Sequence, residues 1–248
     1  MQVKLIWDSE LNNYSISLKP MQLYTTREIE QLQQHEDLSA LIEIMEWVKN
    51  FLGRSHPNLG RPGAVCPFVP YSLKSNSIRL AVIHTKDLYP EQLEEIVGRY
   101  RDIFLQIDVK EQELAINKAF LLIFPDIHIE DASKVVDSVQ QKLKPLFVES
   151  GLMIGEFHKR NDCPGLHNPN FRPLRSPIPL LAIRFMVEAD LPFLQNPADP
   201  HLRIRYLEAY LKNFEHKFTD ETKFKNAHQA LALAKEQIKQ ENLVSSYI

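Results

Sequence analysis

The sequence predicts an α+β fold: a mixed sheet with helices packed on it, ferredoxin-like or related to that arrangement. Two observations lead to this prediction. Between residues 77 and 158, apolar segments of strand length alternate with amphipathic segments of helix length, and such helical crossovers make some strands parallel. Helical patterns near both ends of the chain add extensions to this sheet.

Composition is that of a globular protein, with 44% hydrophobic and 25% charged residues among 248. This length suits a single domain over residues 1–248. Its core sheet region is predicted at residues 60–195, with a strand and helix extension at 1–59 and a helical pair at 199–241.

The N-terminal extension reads as two short strands, Val3 to Trp7 and Tyr14 to Leu18, followed by a helix from Thr26 to Leu52. The polar stretch from Gln33 to Asp37 is a place where this helix can break in two. From Ser55 to Tyr71 prolines and glycines are so dense that no regular element is expected.

The core elements follow from apolar periodicity and from proline positions. Pro145 marks the predicted end of the second core helix. The third core strand begins with apolar residues on both faces, which is typical of a strand inside a sheet. The predicted strands are Ser77–His84, Ala119–Phe124, Gly151–His158 and Pro179–Glu188; the core helices are Glu91–Ile107 and Asp131–Lys144; the tail helices are Pro200–Phe218 and Thr222–Glu241.

Several functional classes are disfavoured by charge and by missing motifs. The net charge of −3 argues against nucleic-acid binding, and no apolar run is long enough to cross a membrane. The chain also lacks the glycine-rich phosphate loops and the nucleophile-elbow and zinc-protease motifs. No targeting segment is visible either, so the sequence predicts a cytoplasmic protein. The two cysteines, Cys66 and Cys163, are expected as reduced thiols.

The stretch from Glu156 to Arg184 is the predicted functional site. Glu156 and His158 share one face of a strand end and are the candidate catalytic residues. The following loop, Lys159 to Pro179, carries five prolines, which favour a rigid loop that presents its polar groups in fixed positions. The alternative is a structural crossover between two core strands.

Charged groups in this stretch suggest an anionic ligand. Arg172 and Arg175 could clamp a carboxylate or phosphate, or could simply be solvated surface arginines. Arg184 lies within a predicted buried strand and needs a partner, for which Glu156 is the candidate.

The two Cys-Pro dipeptides allow a metal hypothesis. If the two proline-rich loops meet, His158, Cys163 and His167, with Cys66 as a fourth ligand, have the donor types of a zinc site. Their spacing is not that of a standard zinc finger, and two unrelated thiols are the alternative.

The segments GRPGAVCPFVP, GEFH, PGLHNPNFRPLRSPIPLLAIR and DLPFL resemble an uncharacterised bacterial domain of unknown function, cyanobacterial and actinobacterial, found in biosynthetic gene neighbourhoods. This match covers Gly60 to His84 and Gly151 to Leu194 and leaves out the flanking helices. The layout is also distantly similar to haem-dependent guanidine N-oxygenases. That resemblance implies His167 as the iron ligand, with Arg172 and Arg175 pairing the haem propionates.

Two hypotheses of function follow. In the first, the protein is a small biosynthetic enzyme, a haem-dependent oxygenase acting on a small polar metabolite. In the second, it is a non-catalytic binding or accessory protein for an anionic ligand. The charged tail from Asp220 to Glu241 is then a docking surface or a homodimer contact.

Overall fold

The computed structural model describes residues 21–107, 115–215 and 217–245, and in them a five-stranded mixed sheet carries the fold. The spatial order of the strands is β1-β2-β3-β5-β4. Only β2 and β3 are parallel neighbours; β1 pairs antiparallel with β2, and β5 pairs antiparallel with both β3 and β4. The strands are β1 Tyr24–Thr25, β2 Ile78–Val82, β3 Ala119–Ile123, β4 Leu152–Phe157 and β5 Leu180–Phe185.

Helices pack on both faces of this sheet, so the predicted α+β class is confirmed. The element order from β2 onwards is β-α-β-α-β-β, whereas a ferredoxin-like domain has the order β-α-β-β-α-β. The fold is therefore a related sandwich. The α-helices are α1 Thr26–Gln31, α2 Leu38–Trp47, α3 Val69–Lys74, α4 Pro90–Gln106, α5 Ser138–Glu149, α6 Leu191–Leu194, α7 Pro200–Asn213 and α8 Glu221–Ser245.

Strand alternation divides the core into two layers. Side chains such as Phe120 and Leu122 of β3 point to the layer covered by α4 and α5, whereas Leu121 and Ile123 point to the layer covered by α2 and α3. The apolar side chains of both layers are buried, so the sheet lies between two layers of helices. A third apolar cluster joins α7 and α8 to α5 and to Met153 of β4.

The first helical segment divides as the polar stretch predicted. Thr25 caps α1 through a reciprocal capping box with Glu28, the helix ends at Gln31, and α2 begins at Leu38. A π-helical turn, Val48–Leu52, continues α2 up to Gly53. The two strands predicted before Thr26 lie outside the described residues.

The expectation that residues 55–71 contain no regular element is wrong. A 3₁₀ turn occupies Pro57–Leu59, and α3 begins at Val69. Pro70 lies in the first turn of α3, where its missing N–H would have no helical partner anyway, so proline there is compatible with a helix.

The predicted end of the second core helix at Pro145 is also wrong, because α5 runs through Pro145 to Glu149. A proline inside a helix removes one backbone hydrogen bond. The last turn of α5 is held by tertiary packing, since Phe147 and Val148 are fully buried.

The strand β4 lies at the edge of the sheet, so its predicted interior position is wrong. β5 returns between β3 and β4 and takes that place. β4 is nevertheless apolar on both faces because Leu152 and Ile154 pack against the α4–α5 layer while Met153 packs in the C-terminal cluster.

Among the described residues, no helix is both long enough and apolar enough to span a membrane.

Candidate functional site

Three strands end at the same side of the sheet, which we call the carboxyl end. β2 and β3 are parallel, and β4 runs in the same direction because both β3 and β4 are antiparallel to β5. The residues that follow these strands are His84, Asp126 and His158. Ligand sites in open sheets tend to lie beyond the carboxyl ends of strands, which makes this side the first place to search.

The proline-rich loop between β4 and β5 crosses the carboxyl end and is tied down along its length. The N–H of His158 donates to the carbonyl of Leu174 at 3.3 Å, and the N–H of Gly165 donates to that of Phe171 at 2.9 Å. Phe171 itself is buried in the α2–α3 layer. The predicted rigid loop is thus anchored by both its backbone and its core contacts.

The two proline-rich loops meet, as the metal hypothesis required. Asn168 Nδ2 donates to the carbonyl of Asn58 at 2.8 Å, and the ring of His56 lies 4.7 Å from that of Phe171. Gly60 has a positive φ of 79°, and a Cβ there would lie 2.5 Å from the carbonyl oxygen of His167. This close approach requires glycine.

The four predicted zinc donors are nevertheless not gathered. Within the described ranges of the chain, no three His, Cys, Asp or Glu side chains are placed to hold a metal ion. Cys66 and Cys163 are both free thiols, as expected from the sequence. His158 is buried, whereas His167 is exposed on the outside of the loop.

The candidate catalytic pair, Glu156 and His158, lies against Asp137, which immediately precedes α5. His158 Nε2 is 3.1 Å from Asp137 Oδ1, although the N–H is not aligned with that oxygen for a hydrogen bond. Burial raises the pKa of Asp137, and the neighbouring His158 offsets part of this rise. Burial also raises the pKa of Glu156, and the negative charge of Asp137 adds to it.

Cys163 lies beside this pair, with its Sγ 4.0 Å from Oε1 of Glu156. Burial raises the pKa of the Cys163 thiol, and the charges of Glu156 and Asp137 raise it further. A reactive thiolate requires the opposite environment, with nearby positive charge. Cys163 is therefore placed as a protonated thiol and not as a nucleophile.

The two arginines of the predicted anion clamp are already engaged by the loop. Arg172 donates to the carbonyls of Pro169 and Phe171. Arg175 donates to the carbonyl of Asn161 at 3.1 Å and pairs with Asp162 at 2.8 Å. Both guanidinium groups thus help to hold the loop in shape, and only Arg175 also lines a groove.

The predicted partner of Arg184 is wrong. Its guanidinium forms two hydrogen bonds with Asp190, at 2.6 and 2.7 Å, and Glu156 is not involved. In the register of the sheet Arg184 lies opposite Met153, while Glu156 lies opposite Leu181 on the other face. The alternation of side chains therefore separates Arg184 from Glu156.

An open groove of about 600 Å³ lies at the carboxyl end, between the β3–α5 connection and the start of the proline-rich loop. We call it the basic groove. Lys159 makes no hydrogen bond or ion pair with another described residue, whereas Arg160 pairs with Glu130. The groove is lined by His128, Ile129, Glu130, Lys159, Arg160, Asp162 and Arg175.

A second groove, of about 260 Å³, lies on the other side of the β3–α5 connection. In it, His84 lies between two carboxylates, with Nε2 2.8 Å from Asp37 and Nδ1 3.0 Å from Asp126. We call this contact the His84 clamp. The groove is lined by Glu36, Asp37, Ser39, Ala40, Glu43, His84, Pro125, Asp126 and Ile178.

Sequence reasoning missed Lys159, Arg160, His128 and the His84 clamp. A signal for them existed: His84, Asp126 and His158 all closely follow apolar strands. Using that signal required knowing that all three strands point the same way. The strand order was not available from the sequence, because β4 and β5 are exchanged relative to their order in the chain.

Residues 41–225 match the model of a protein family described as Domain of unknown function (DUF6875). The chain belongs to this family. The DUF6875 region begins within α2 and ends within α8, so it includes most of α2 and all of α7, which the match predicted from the sequence motifs left out. No curated protein and no solved structure matches the chain.

Proposed function

We propose that this DUF6875 protein binds a small anionic metabolite in the basic groove. One observation carries the proposal: Lys159, Arg160, Arg175 and His128 converge on one groove of a chain whose net charge is −3. Concave sites with a few convergent polar groups are the usual form of a small-molecule site.

Charge pairing within the groove supports an anionic ligand. Glu130 pairs with Arg160, and Asp162 pairs with Arg175, which leaves Lys159 without a counter-charge among the described residues. A carboxylate or phosphate could replace either acidic partner at an arginine, because guanidinium groups bind both anions in the same geometry.

Sulfate is a suitable probe of this groove, and calorimetric titration measures its affinity. Lys159→Ala should weaken sulfate binding at least about tenfold, because a charge-assisted hydrogen bond contributes roughly 1.5 to 3 kcal/mol. Lys225→Ala is the matched control, since Lys225 is exposed on α8, outside the groove. Equal affinities of the two variants, or no binding by the unchanged protein, would refute the proposal.

Whether the bound anion is also chemically converted, as in the enzyme hypothesis, stays a prediction. Glu156 and His158 do not line the basic groove, although Lys159 follows them directly. We therefore propose binding as the function that the geometry supports best, with the small biosynthetic enzyme as its catalytic extension.

The haem-dependent oxygenase also stays a prediction. The residues that were expected to bind haem do not fit it well. His167 is exposed and lines neither groove, and the guanidinium groups of Arg172 and Arg175 already bind loop carbonyls and Asp162. We expect no Soret band after haem is added to the purified protein. A band that disappears in His167→Ala would contradict this expectation.

A further inference from the structure

We propose that the His84 clamp is a proton-controlled latch that sets the geometry of the basic groove. This inference rests on the proposed function, since it concerns the regulation of the same groove. The clamp joins three elements: His84 follows β2, Asp37 precedes α2, and Asp126 follows β3.

The clamp has the geometry of an imidazolium held by two carboxylates. Both ring nitrogens have a carboxylate oxygen within 3.0 Å, and a histidine can donate from both nitrogens only when it is protonated. The side chains of Asp37 and Asp126 are only 13% and 12% exposed, whereas that of His84 is 49% exposed, so solvent screens these contacts in part.

The carboxylate of Asp37 does not cap the helix that it precedes. Asp37 is the N-cap residue of α2, yet its side chain makes no capping hydrogen bond and instead contacts His84. Asp126 also accepts the backbone N–H of Thr85 at 2.9 Å, which fixes its orientation. The clamp has thus taken over a carboxylate that would otherwise stabilise the start of a helix.

The other charged groups around His84 favour its protonated form. Glu36 and Glu43 of α2 line the same groove, so the groups facing the ring are predominantly acidic. Beyond them, His35 lies 3.8 Å from Asp37 and accepts its backbone N–H at Nδ1.

The pKa of His84 moves in the corresponding direction. Burial alone would lower it, but the hydrogen bonds and charges of Asp37 and Asp126 outweigh burial and raise it. The closed clamp, with both ring nitrogens donating, is therefore fully favoured below about pH 6.5, the ordinary pKa of histidine, and one of its two hydrogen bonds is lost as the pH rises through the raised pKa.

The connection to the basic groove is short. Asp126 and the groove residues His128, Ile129 and Glu130 belong to the same five-residue stretch of the β3–α5 connection. A neutral His84 keeps one N–H and can donate to only one of the two carboxylates, so deprotonation weakens the hold on Asp126, which the N–H of Thr85 still contacts. We infer that this loosens one end of the stretch and with it the position of Glu130 relative to Arg160. The closed clamp holds the groove in the form described above, and the open clamp loosens it.

Hydrogen exchange of the backbone amides measures, without any ligand, how often the β3–α5 connection opens. Exchange of residues 124–131, corrected for the intrinsic rate, should be about three- to tenfold faster in His84→Gln than in the unchanged protein near pH 6, as expected for the loss of part-buried ion pairs. The unchanged protein should approach the variant as the pH rises to about 9. His201→Gln, on the exposed start of α7, is the matched control and should change nothing. Thermal unfolding verifies that each variant is folded.

Sulfate binding tests the link to the groove, because sulfate itself does not titrate in this range. His128 also lines the groove, so both proteins are compared in a His128→Gln background, in which no histidine lines the groove. Affinity should fall severalfold between about pH 6 and about pH 9 when His84 is present and should be low and constant in His84→Gln.

The possible failures are distinguishable. If exchange of residues 124–131 is the same in His84→Gln and does not depend on pH, the latch is wrong, whatever sulfate does. If exchange changes with pH and with His84→Gln but sulfate affinity does not, the clamp does not control the groove, and the inference is again wrong. If sulfate never binds, the proposed function fails, and with it the link to the groove, while exchange still decides whether the clamp opens.

Discussion

Asp190 holds Arg184 through both carboxylate oxygens and also accepts the N–H of Val187 at 2.8 Å. Its side chain is only 3% exposed, whereas that of Arg184 is 31% exposed. Removing one member of such a pair lowers the free energy of unfolding by more than the intact pair adds to it. The charge that remains is still desolvated but has no partner. This single contact therefore governs how the end of β5 is joined to α6.

Asp190→Asn should lower the free energy of unfolding by about 3 kcal/mol, at the lower end for a broken buried pair because Arg184 keeps some contact with water. Urea denaturation measures the change. Glu149→Gln breaks the exposed pair with Arg205, whose side chains are 41% and 50% exposed, and should cost less than about 1 kcal/mol. Similar decreases in the free energy of unfolding of the two variants would show that burial does not decide the strength of these ion pairs.

At the scale of elements, the two proline-rich loops stabilise each other. Gly60 touches the backbone of His167, Asn168 binds the carbonyl of Asn58, and His56 packs on Phe171. Neither loop has a strand or a long helix of its own to hold it. Their mutual contacts and the buried Phe171 replace the missing secondary structure.

Gly60→Ala should destabilise the protein by about 2 kcal/mol or more. The substitution combines a left-handed backbone conformation with a Cβ only 2.5 Å from a carbonyl oxygen of the other loop. Gly98→Ala is the matched control: Gly98 lies within α4 with nothing within 4 Å of its Cβ position, so alanine there should stabilise by about 0.5 to 1 kcal/mol. If Gly60→Ala leaves the stability unchanged, the two loops can move apart without destabilising the protein.

At the scale of the whole molecule, two half-buried carboxyl groups near β4, those of Glu156 and Asp137, oppose the usual dependence of stability on pH. Burial raises the pKa of both Glu156 and Asp137. An acid whose folded pKa is raised stabilises the fold at low pH, and this contribution is lost as the pH rises from the unfolded pKa through the folded one. The loss starts near pH 4, where carboxyl groups of the unfolded chain titrate.

Glu156→Gln should therefore stabilise the protein near pH 8 and make little difference near pH 4, as measured by urea denaturation at the two pH values. Glu149→Gln should instead destabilise the protein near pH 8, because the hydrogen bond from Arg205 lowers the pKa of Glu149. A Glu156→Gln variant that is less stable at the higher pH would show that the folded protein favours the ionised carboxylate, and it would contradict the prediction.

The amino-acid sequence by itself determined the local elements and much of the chemistry. Periodicity located the core helices and strands, the polar stretch before α2 separated two helices, and the prolines of residues 159–179 indicated a rigid loop. These features depend on interactions between residues close in the chain, which is why they can be read from it. Pro145 marks the limit of such reading, because distant packing holds the last turn of α5.

Only the tertiary structure decided which residues meet. The return of β5 between β3 and β4 placed β4 at an edge and made the end of β4 lie at the same side of the sheet as the ends of β2 and β3, which are parallel to each other. The partner of Arg184 is Asp190, which follows the end of β5. The common direction of β3 and β4 formed the basic groove, and the parallel pairing of β2 with β3 brought His84 to Asp126. The members of the His84 clamp are 42 and 47 residues apart in the chain. Pairing at such distances depends on the whole folded sheet, and the identity of a residue carries no information about which distant partner it will find.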